Sequence, residues 1–338
     1  MRTPTVCSEY LDSTLHYLEG RGITPEQLRG LLRLDVREHV SDSGRFPLRL
    51  FEIVLDAGEQ LLKDRYFGAR AGVHCSRQAW GMVNYLGMSA ANMKEAIDAV
   101  VAFSRLLIDH GDVNFESIDE DQTRLSWRVP PRQMPSRHVI EFFFTSWYRA
   151  NKPLLDCWCS HREIHFQHAG PGDATEIARI IQAPVHYNSH SNAVEFDRTF
   201  LARPTQFPHP EIHESLLQIA REQLANLQLE DRVIREVMDC IIRQLPEGVP
   251  RLEDVAAELD MAPRTLQRRL SYINTNFKCL VDDARKEQSR KLIVDSSVGL
   301  LDISAELGFS DQSAFQKAFK RWFGKAPGRY RVSMQAVG

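Results

Sequence analysis

Apolar residues return every three or four positions through most of the first 110 residues. This spacing gathers them on one face of an α-helix. The clearest examples are residues 8–19, 49–62 and 90–108. The repeated spacing predicts a largely helical beginning of the chain.

Beyond residue 110 the pattern changes to alternation of apolar and polar residues, which is typical of half-buried strands. Residues 112–118 and 123–129 alternate on either side of the turn-prone Asp119-Glu120-Asp121. Residues 163–168 and 193–196 predict further short strands, whereas 136–152 and 174–182 have helical spacing. The first 200 residues therefore predict one α+β domain.

Three prolines, Pro204, Pro208 and Pro210, interrupt the chain after this domain, and an amphipathic helix is expected at 211–228. A second interruption, residues 246–250 (PEGVP), lies in a C-terminal part that lacks strand-like alternation. We therefore predict an α+β domain at 1–205, a linker with a helix at 206–228, and an all-α domain at 229–338.

The all-α part contains the same unit twice. Residues 255–259 (VAAEL) match 303–307 (ISAEL), and 266–270 (LQRRL) match 315–319 (FQKAF). The offset is 48 residues in the first block and 49 in the second, because the second turn has one extra residue. Each unit is a short helix, a tight turn and a second helix, which is the helix-turn-helix arrangement.

The residues at the turns fit this interpretation. Gly308 in the second unit suits a left-handed backbone, which Asp260 in the first unit tolerates less readily. Pro263 suits the first position of the second helix in the first unit. Ser310 is expected to cap the corresponding helix of the second unit.

The second helix of each unit has an apolar face and a polar face. We expect Leu266, Leu270 and Ile273 to pack inward in the first unit, and Phe315, Phe319 and Trp322 in the second. Ser271 also falls on the outward face of the first of these helices. We predict DNA contacts at Arg264, Thr265, Gln267, Arg268, Gln312, Ser313, Gln316, Lys317 and Lys320.

Those residue types suit the major groove, since Arg pairs with guanine edges, Gln with adenine, and Lys with phosphates or guanine. A solvated face is the alternative explanation for any single helix of this kind. Two copies with matched outward amide and basic positions favour DNA contacts.

Residues 279–295 predict a continuous helix between the two units, about 25 Å long at about 1.5 Å per residue. Such a helix could hold the two recognition helices about one DNA turn apart, near ~34 Å, in successive major grooves. Arg285, Lys286, Arg290 and Lys291 lie on or near it. They are equally consistent with phosphate contacts and with a solvated surface.

Charge and composition narrow the class of protein. The net charge is −3, but residues 251–338 carry 15 Lys and Arg against 11 Asp and Glu, which suggests an anionic partner for this part. No apolar run reaches the ~18 residues of a membrane-spanning helix, and the start MRTPTVCSEYLDST lacks a secretory signal. We expect a cytoplasmic protein that binds no membrane and keeps its six cysteines reduced.

Residues 301–315 (LDISAELGFSDQSAF), 319–327 (FKRWFGKAP) and Tyr330-Arg331 resemble the second helix-turn-helix signature of the AraC/XylS family of bacterial transcription regulators. With the first unit, the resemblance covers about the last 100 residues. It implies recognition helices in adjacent major grooves of double-stranded DNA, RNA polymerase as a partner, activation of transcription and association with the nucleoid. Ser289 and Ser304 stand where the family usually has Ala, and Asn274-Thr275-Asn276 replaces a turn that commonly contains Gly.

Residues 180–187 (IIQAPVHY), 192–196 (NAVEF) and 201–204 (LARP) are similar to the arabinose-binding-type N-terminal domain of one AraC/XylS subgroup, which includes ornithine- and arginine-responsive regulators. The predicted strands are too few, and the helices too many, for the cupin barrel found elsewhere in the family. The similarity implies that residues 1–205 sense an effector, whose identity stays unknown.

The aromatic stripe at 142–148 is the candidate effector-binding segment. Phe144, Trp147 and Tyr148 could line an apolar pocket, with His138 and Glu141, one helical turn apart, as its polar groups. A plain core stripe and a surface pair are the alternatives.

Cys157-Trp158-Cys159 with His161, His165 and His168 suggests a metal site. The cysteines lack the spacing of two to four residues that is typical of structural zinc, and the alternation indicates a strand, so we expect no metal and no cofactor. A glycine-rich phosphate loop, a Gly-x-Ser-x-Gly elbow and a His-Glu-x-x-His motif are absent from the sequence, so we expect no enzyme.

The sequence therefore predicts a DNA-binding transcription regulator whose N-terminal domain senses a small molecule. The alternative is an effector-independent regulator whose N-terminal domain serves dimerisation or partner contact. The helix at 211–228 could form a homodimer or pack against its own N-terminal domain through Ile212, Leu216, Ile219, Leu224 and Leu227.

Overall fold

A computed structural model describes residues 4–130, 133–158, 162–172, 174–273, 275–294 and 298–335. The chain divides between Leu227 and Gln228 into two units, each with its own hydrophobic core. We call them the N-terminal unit and the C-terminal unit.

The helices of the N-terminal unit are α1 (Ser8–Gly20), α2 (Pro25–Leu32), α3 (Leu48–Leu62), α4 (Phe67–Val73), α5 (Gly81–Ser89), α6 (Met93–Leu107), α7 (Arg137–Trp158) and α8 (Ala174–Ile181). Its strands are β1 (Thr5–Cys7), β2 (Arg45–Pro47), β3 (Asp112–Ser117), β4 (Gln122–Arg128), β5 (Arg162–His165), β6 (Val185–His186) and β7 (Asn192–Asp197). The helix α9 (Pro210–Gln244) begins in this unit and ends in the next, where it is followed by α10 (Leu252–Glu258), α11 (Pro263–Tyr272), α12 (Phe277–Leu292), α13 (Leu300–Glu306), α14 (Gln312–Phe323) and α15 (Pro327–Gln335).

The main sheet of the N-terminal unit has the strand order β3-β4-β7-β5-β6. Neighbouring strands are antiparallel, except that β5 and β6 are parallel. Leu125 pairs with Val194 and both are buried, whereas the adjacent pair Arg124 and Glu195 shares the opposite face of the sheet. Within the described residues the sheet is open, with β3 and β6 at its edges, so the expected α+β domain without a cupin barrel is confirmed.

Helix α7 is buried along residues 138–148, and α4 packs closely against it. The contact is close because Gly68 and Gly72, four residues apart, face α7. A Cβ on Gly68 would lie 2.5 Å from the carbonyl oxygen of His138, and one on Gly72 would lie 2.4 Å from that of Phe142. Any side chain at these two positions would push the helices apart.

The expected helices and strands of the N-terminal unit are present, with shifts of a few residues at their ends. Helix α6 begins at Met93 rather than at residue 90, because the Asn92 side chain accepts a hydrogen bond from the Glu95 N–H at 3.0 Å. The helix expected at 211–228 continues to Gln244 as α9. The short pair β1–β2 was not expected, because three residues are too few for alternation to show.

The C-terminal unit is helical throughout its described residues. The end of α9 contributes Ile234, Val237 and Ile241 to a core that it shares with α10–α14. Helix α12 joins the pair α10–α11 to the pair α13–α14, which confirms two helix-turn-helix units joined by a long helix. It has 16 residues, about 24 Å at about 1.5 Å each.

The bounds of α12 differ from the expected 279–295. The helix begins earlier because the Asn276 side chain accepts a hydrogen bond from the Cys279 N–H at 2.9 Å. It ends at Leu292, and the expected last residue, Asp295, lies outside the described residues.

Candidate nucleic-acid interface and effector cleft

The first helix of the first unit ends in a defined set of backbone hydrogen bonds. At the end of α10 the N–H of Asp260 donates to the oxygen of Ala257 at 3.1 Å, and the N–H of Met261 donates to that of Ala256 at 2.9 Å. These two bonds form a Schellman motif, which places the residue after the helix in the left-handed region. Asp260 accordingly has a φ of 53°.

The second unit repeats this arrangement 48 residues later. The N–H of Gly308 donates to the oxygen of Ala305 at 2.9 Å, and the N–H of Phe309 donates to that of Ser304 at 3.0 Å. Gly308 has a φ of 65°, as its residue type predicted. The repeat seen in the sequence is therefore a repeat of hydrogen bonds as well.

Arg285 of α12 fixes the turn of the second unit. Its Nε donates to the oxygen of Leu307 at 2.9 Å, a second nitrogen donates to the oxygen of Gly308, and its guanidinium carbon lies 4.2 Å from the centre of the Phe309 ring. Arg285 is half-buried and engaged inside the unit, so it is not simply a solvated side chain. It is a structural residue.

The two recognition helices begin differently. Helix α11 begins at Pro263, as expected, and has no side-chain cap. Helix α14 is capped by Asp311, whose Oδ1 accepts from the Ala314 N–H at 2.8 Å, and this bond lowers the pKa of Asp311. The expectation that Ser310 is the cap was therefore wrong by one residue. Its hydroxyl donates to Asp311 Oδ2 at 3.1 Å and supports the cap from outside.

The inward faces agree with the sequence interpretation in five of six positions. Leu266 and Leu270 of α11, with Ile273 just after it, are buried, and so are Phe315 and Phe319 of α14. The sixth position, Trp322, is half-exposed. The neighbouring Phe323, also partly buried, packs against Phe319 with ring centres 4.5 Å apart.

Most of the outward side chains are exposed. Thr265 and Gln312, at the helix beginnings, are half-buried, whereas the exposed positions are Arg264, Gln267, Arg268, Ser271, Ser313, Gln316, Lys317 and Lys320. Among the described residues, no carboxylate lies within ion-pair distance of the four basic side chains in this set. They are thus available to an anionic partner.

Other basic residues of the C-terminal unit are engaged within it. Arg321 pairs with Asp282 at 2.8 Å, and Lys291 pairs with Glu287 at 3.0 Å. Arg331 donates to the backbone oxygens of Ile293 and Val298 at 3.0 and 2.8 Å. Lys286 and Arg290 of α12 are exposed, and both explanations offered for them stay open.

In the N-terminal unit, all five candidate effector residues are buried on α7, but they do not form one site. Phe144 and Trp147 line a cleft on one side of this helix. His138 instead accepts from the Gly68 N–H at 3.1 Å, and its Nε2 lies 2.7 Å from a carboxylate oxygen of Glu59.

Tyr148 and Glu141 also lie apart from the cleft. The Tyr148 hydroxyl accepts from Arg162 at 2.7 Å. Glu141 is fully buried, and within the described residues neither of its oxygens has a hydrogen-bond partner. Arg137 Nη1 lies 3.7 Å and His168 Nε2 lies 3.9 Å from its Oε1, and burial raises the pKa of Glu141 to about 8.

The cleft lies between the helices and the core face of the sheet. Its walls are apolar side chains from α6, α7 and three strands, together with Trp80. Trp80 and Trp147 also line an adjoining cleft that contains the polar residues Arg77, Asn84 and Asn151. The Nε1 of Trp80 is buried and has no acceptor among the described residues. The sequence did not single out Trp80, because a lone buried tryptophan has no distinguishing spacing.

The Cys157-Trp158-Cys159 motif cannot be followed in full, because Cys159 and His161 lie outside the described residues. The two histidines that were considered with it separate. His165 lies beside Glu163 and His186, whereas His168 lies beside Glu141 and stacks on Phe166 with ring centres 5.1 Å apart.

The face of α9 that was considered for dimerisation is divided. Leu227 is buried, and Leu216 and Leu224 pack against the core of the N-terminal unit. Ile212 and Ile219 are exposed. Three of the five apolar positions thus serve the chain's own fold.

Among the described residues, no helix is both long enough and apolar enough to cross a bilayer.

Two helix-turn-helix units with exposed basic and amide side chains, joined in one chain to an α+β domain, define a DNA-binding regulator. Two family descriptions match the chain. They are "Arabinose-binding domain of AraC transcription regulator, N-term" at residues 22–205 and "Helix-turn-helix domain" at residues 255–333. The first match spans more than half of the chain, so the chain belongs to the AraC family of transcription regulators. Its relatives are regulators rather than enzymes.

The chain is also similar to individual proteins. The chain is 24% identical to the ornithine utilization regulator of Pseudomonas aeruginosa over 95% of both chains. It is 30% identical to the transcriptional regulator VqsM of the same species, over 48% of this chain and 50% of that one. The solved structure of the regulator CdpR, also from Pseudomonas aeruginosa, covers 96% of this chain and 98% of that one, at 18% identity and a TM-score of 0.49.

Proposed function

We propose that this regulator reads two adjacent major-groove segments of double-stranded DNA with α11 and α14. The proposed DNA contacts are Arg264, Thr265, Gln267, Arg268, Gln312, Ser313, Gln316, Lys317 and Lys320. The observation that carries the proposal is the repeated unit, in which the same hydrogen-bonded turn precedes each of two helices with unpaired basic and amide side chains facing outward. One chain then contacts two groove segments without a second copy.

A pair of neighbouring arginines on α11 tests this proposal. Arg268 and Arg269 are both exposed and carry the same charge, but they point about 100° apart around the helix. Arg268→Ala is expected to weaken binding to the cognate site by about 1–3 kcal/mol and to relax sequence preference at one base pair. Arg269→Ala is expected to have a smaller effect that is equal for all sequences.

The measurement begins with genome-wide binding of the purified full-length protein to fragmented host DNA at near-physiological salt, which suppresses non-specific phosphate binding. Fluorescence anisotropy on the recovered site then compares the two variants. Equal losses for Arg268→Ala and Arg269→Ala would contradict the assigned contacts. Recovered sites without two half-elements about one helical turn apart would contradict the placement of α11 and α14 in two adjacent major-groove segments.

We further propose that the effector binds in the cleft lined by Phe144, Trp147 and Trp80. The apolar walls favour a largely apolar molecule. The relative named for ornithine utilization points to a more polar effector, for which the adjoining cleft with Arg77 and Asn151 is the better match. Trp80 and Trp147 line both clefts.

A filling substitution tests the cleft. Val100 and Val101 are adjacent and both half-buried on α6, but only Val100 lines the two clefts. A thermal-shift screen of metabolites against the full-length protein identifies an effector, since a ligand of the native state raises the melting temperature. Val100→Phe is expected to abolish that shift, and Val101→Phe to preserve it. An equal response of both variants would place the effector elsewhere, and no hit at all would favour the effector-independent alternative.

The remaining partners follow from the family and from the exposed part of α9. We propose that the protein contacts RNA polymerase as an activator and acts in the cytoplasm at the nucleoid, where its DNA is. A homodimer through the exposed Ile212 and Ile219 stays a prediction. Sedimentation at micromolar concentration tests it, since a monomer alone would rule it out.

A further inference from the structure

Three strands of the N-terminal unit bring two histidines and two glutamates together on one face of the sheet. His165 of β5 is directly opposite His186 of the parallel strand β6, and Glu163 precedes His165 by two residues. Glu195 of β7 is directly opposite Glu163. The cluster is the product of strand register, so its members are far apart in the sequence.

The ligand atoms of this cluster have separations that suit a single metal ion. Glu163 Oε2 lies 2.9 Å from His186 Nε2 and 3.6 Å from His165 Nε2, and one ligand atom from each of the three residues lies within 4.8 Å of the others. A tetrahedral zinc ion with bonds of about 2.0–2.1 Å holds its ligands about 3.4 Å apart. The His165 and His186 rings lie nearly parallel with their centres 4.9 Å apart, so the ion requires these two side chains to turn toward a common point while the backbone stays in place.

The polar surroundings also favour a cation. The Nε2 of His165 is buried and makes no hydrogen bond among the described residues, although Glu195 Oε2 lies 3.4 Å from it. Arg124 donates to the other oxygen of Glu195 at 2.6 and 2.8 Å, which holds that carboxylate in place. Two carboxylates and one guanidinium leave the cluster with a net charge of −1 when the histidines are neutral.

We propose that Glu163, His165 and His186 bind a divalent transition-metal ion of the zinc type, with Glu195 beside the fourth position. Imidazole and carboxylate together suit zinc and its neighbours rather than magnesium or calcium, which prefer oxygen ligands alone. The bound ion cross-links the edge strand β6 to β5. This site is on the polar face of the sheet, so it is distinct from the cleft on the core face and does not depend on the proposed effector.

The test uses the full-length protein after treatment with a chelator. Zinc is titrated by calorimetry into the wild type, His186→Ala, His165→Gln and the control His190→Ala. His190 is an exposed histidine four residues beyond His186, outside the cluster. We expect one zinc per chain, at least about tenfold weaker binding in the two cluster variants, and unchanged binding in the control. Since His186 is about half-exposed, its variant is expected to fold, and circular dichroism checks this.

The six cysteines of the chain are the competing ligands, and cobalt distinguishes them. Cobalt bound by imidazole and carboxylate gives visible d–d bands without a thiolate charge-transfer band, and this is the spectrum we expect. Zinc binding that is equally strong in both cluster variants, or a cobalt spectrum with the thiolate band, would overturn the proposal. So would the absence of binding at micromolar zinc in the wild type. None of these results would affect DNA binding by the C-terminal unit.

Discussion

Replacing Gly308 with alanine tests how the second helix-turn-helix unit is held together. Gly308 has a φ of 65°, and a Cβ there would lie 2.6 Å from the oxygen of Leu245 and 2.7 Å from that of Gly248. Two costs therefore add. An alanine in the left-handed region costs about 1–2 kcal/mol, and forcing a methyl group against two fixed carbonyls costs about 1–3 kcal/mol more. We expect a loss of about 2–5 kcal/mol in the free energy of unfolding of the C-terminal unit.

Gly324 provides the matched control, because it ends α14 with a φ of 71° and a Cβ there would have no heavy atom within 4 Å. Gly324→Ala is expected to show only the conformational cost of about 1–2 kcal/mol. Trp322 is the only tryptophan after residue 228, so fluorotryptophan NMR during urea titration follows this unit within the full-length protein. Equal destabilisation by the two variants would refute the steric argument, and a stable Gly308→Ala would refute both parts.

Three further predictions concern single side chains. Burial raises the pKa of Glu141 to about 8, and the unfolded chain loses that proton first as the pH rises. Ionisation of Glu141 should therefore lower the unfolding free energy of the N-terminal unit by about 3 kcal/mol between about pH 5.5 and about pH 8. Urea titrations of Glu141→Gln over the same pH range should show no such decrease from this position. Ser304 Oγ is buried and has no hydrogen-bond partner among the described residues, so Ser304→Ala should stabilise the C-terminal unit by about 1 kcal/mol. Ser289→Ala is the control and should not stabilise it, because Ser289 Oγ donates a hydrogen bond to the oxygen of Lys286 at 2.9 Å. Thermal melts of the two variants distinguish these outcomes. Arg285→Ala should destabilise the same unit by about 2–3 kcal/mol through the lost carbonyl contacts, while Lys286→Ala, an exposed neighbour, should leave its urea midpoint unchanged.

The sequence predicts the C-terminal unit well, because its chemistry is local. The two units recur at a fixed offset, Gly308 stands where a left-handed turn needs it, and Leu266 and Phe315 mark the inward faces. The prediction of the helix cap fails because two neighbouring residues suit that position equally well. Ser310 and Asp311 are both good helix caps, and only the path of the backbone decides between them.

The N-terminal unit was harder to predict, because its sites depend on pairing between distant segments. The alternation that predicts β5 and β7 does not say that β7 lies between β4 and β5. The neighbours of His165 therefore could not be identified from spacing. The candidate effector residues lie on one helix, as their spacing predicted, but the surface pair considered for His138 and Glu141 is wrong because both are buried. Helical spacing alone could not show that Trp147 faces the cleft while His138 is held by Glu59.

The extra residue in the second turn gives the two recognition helices, α11 and α14, different starting positions within their units. Helix α11 starts at Pro263 directly after a four-residue turn, whereas α14 starts one residue later in its unit, after Asp311. Two different recognition helices in one chain are not related by a two-fold axis, whereas the two halves of a symmetric dimer on a palindrome are. The DNA element that such a chain recognises therefore has a direction, and turning it around relative to a promoter would turn the whole bound protein with it.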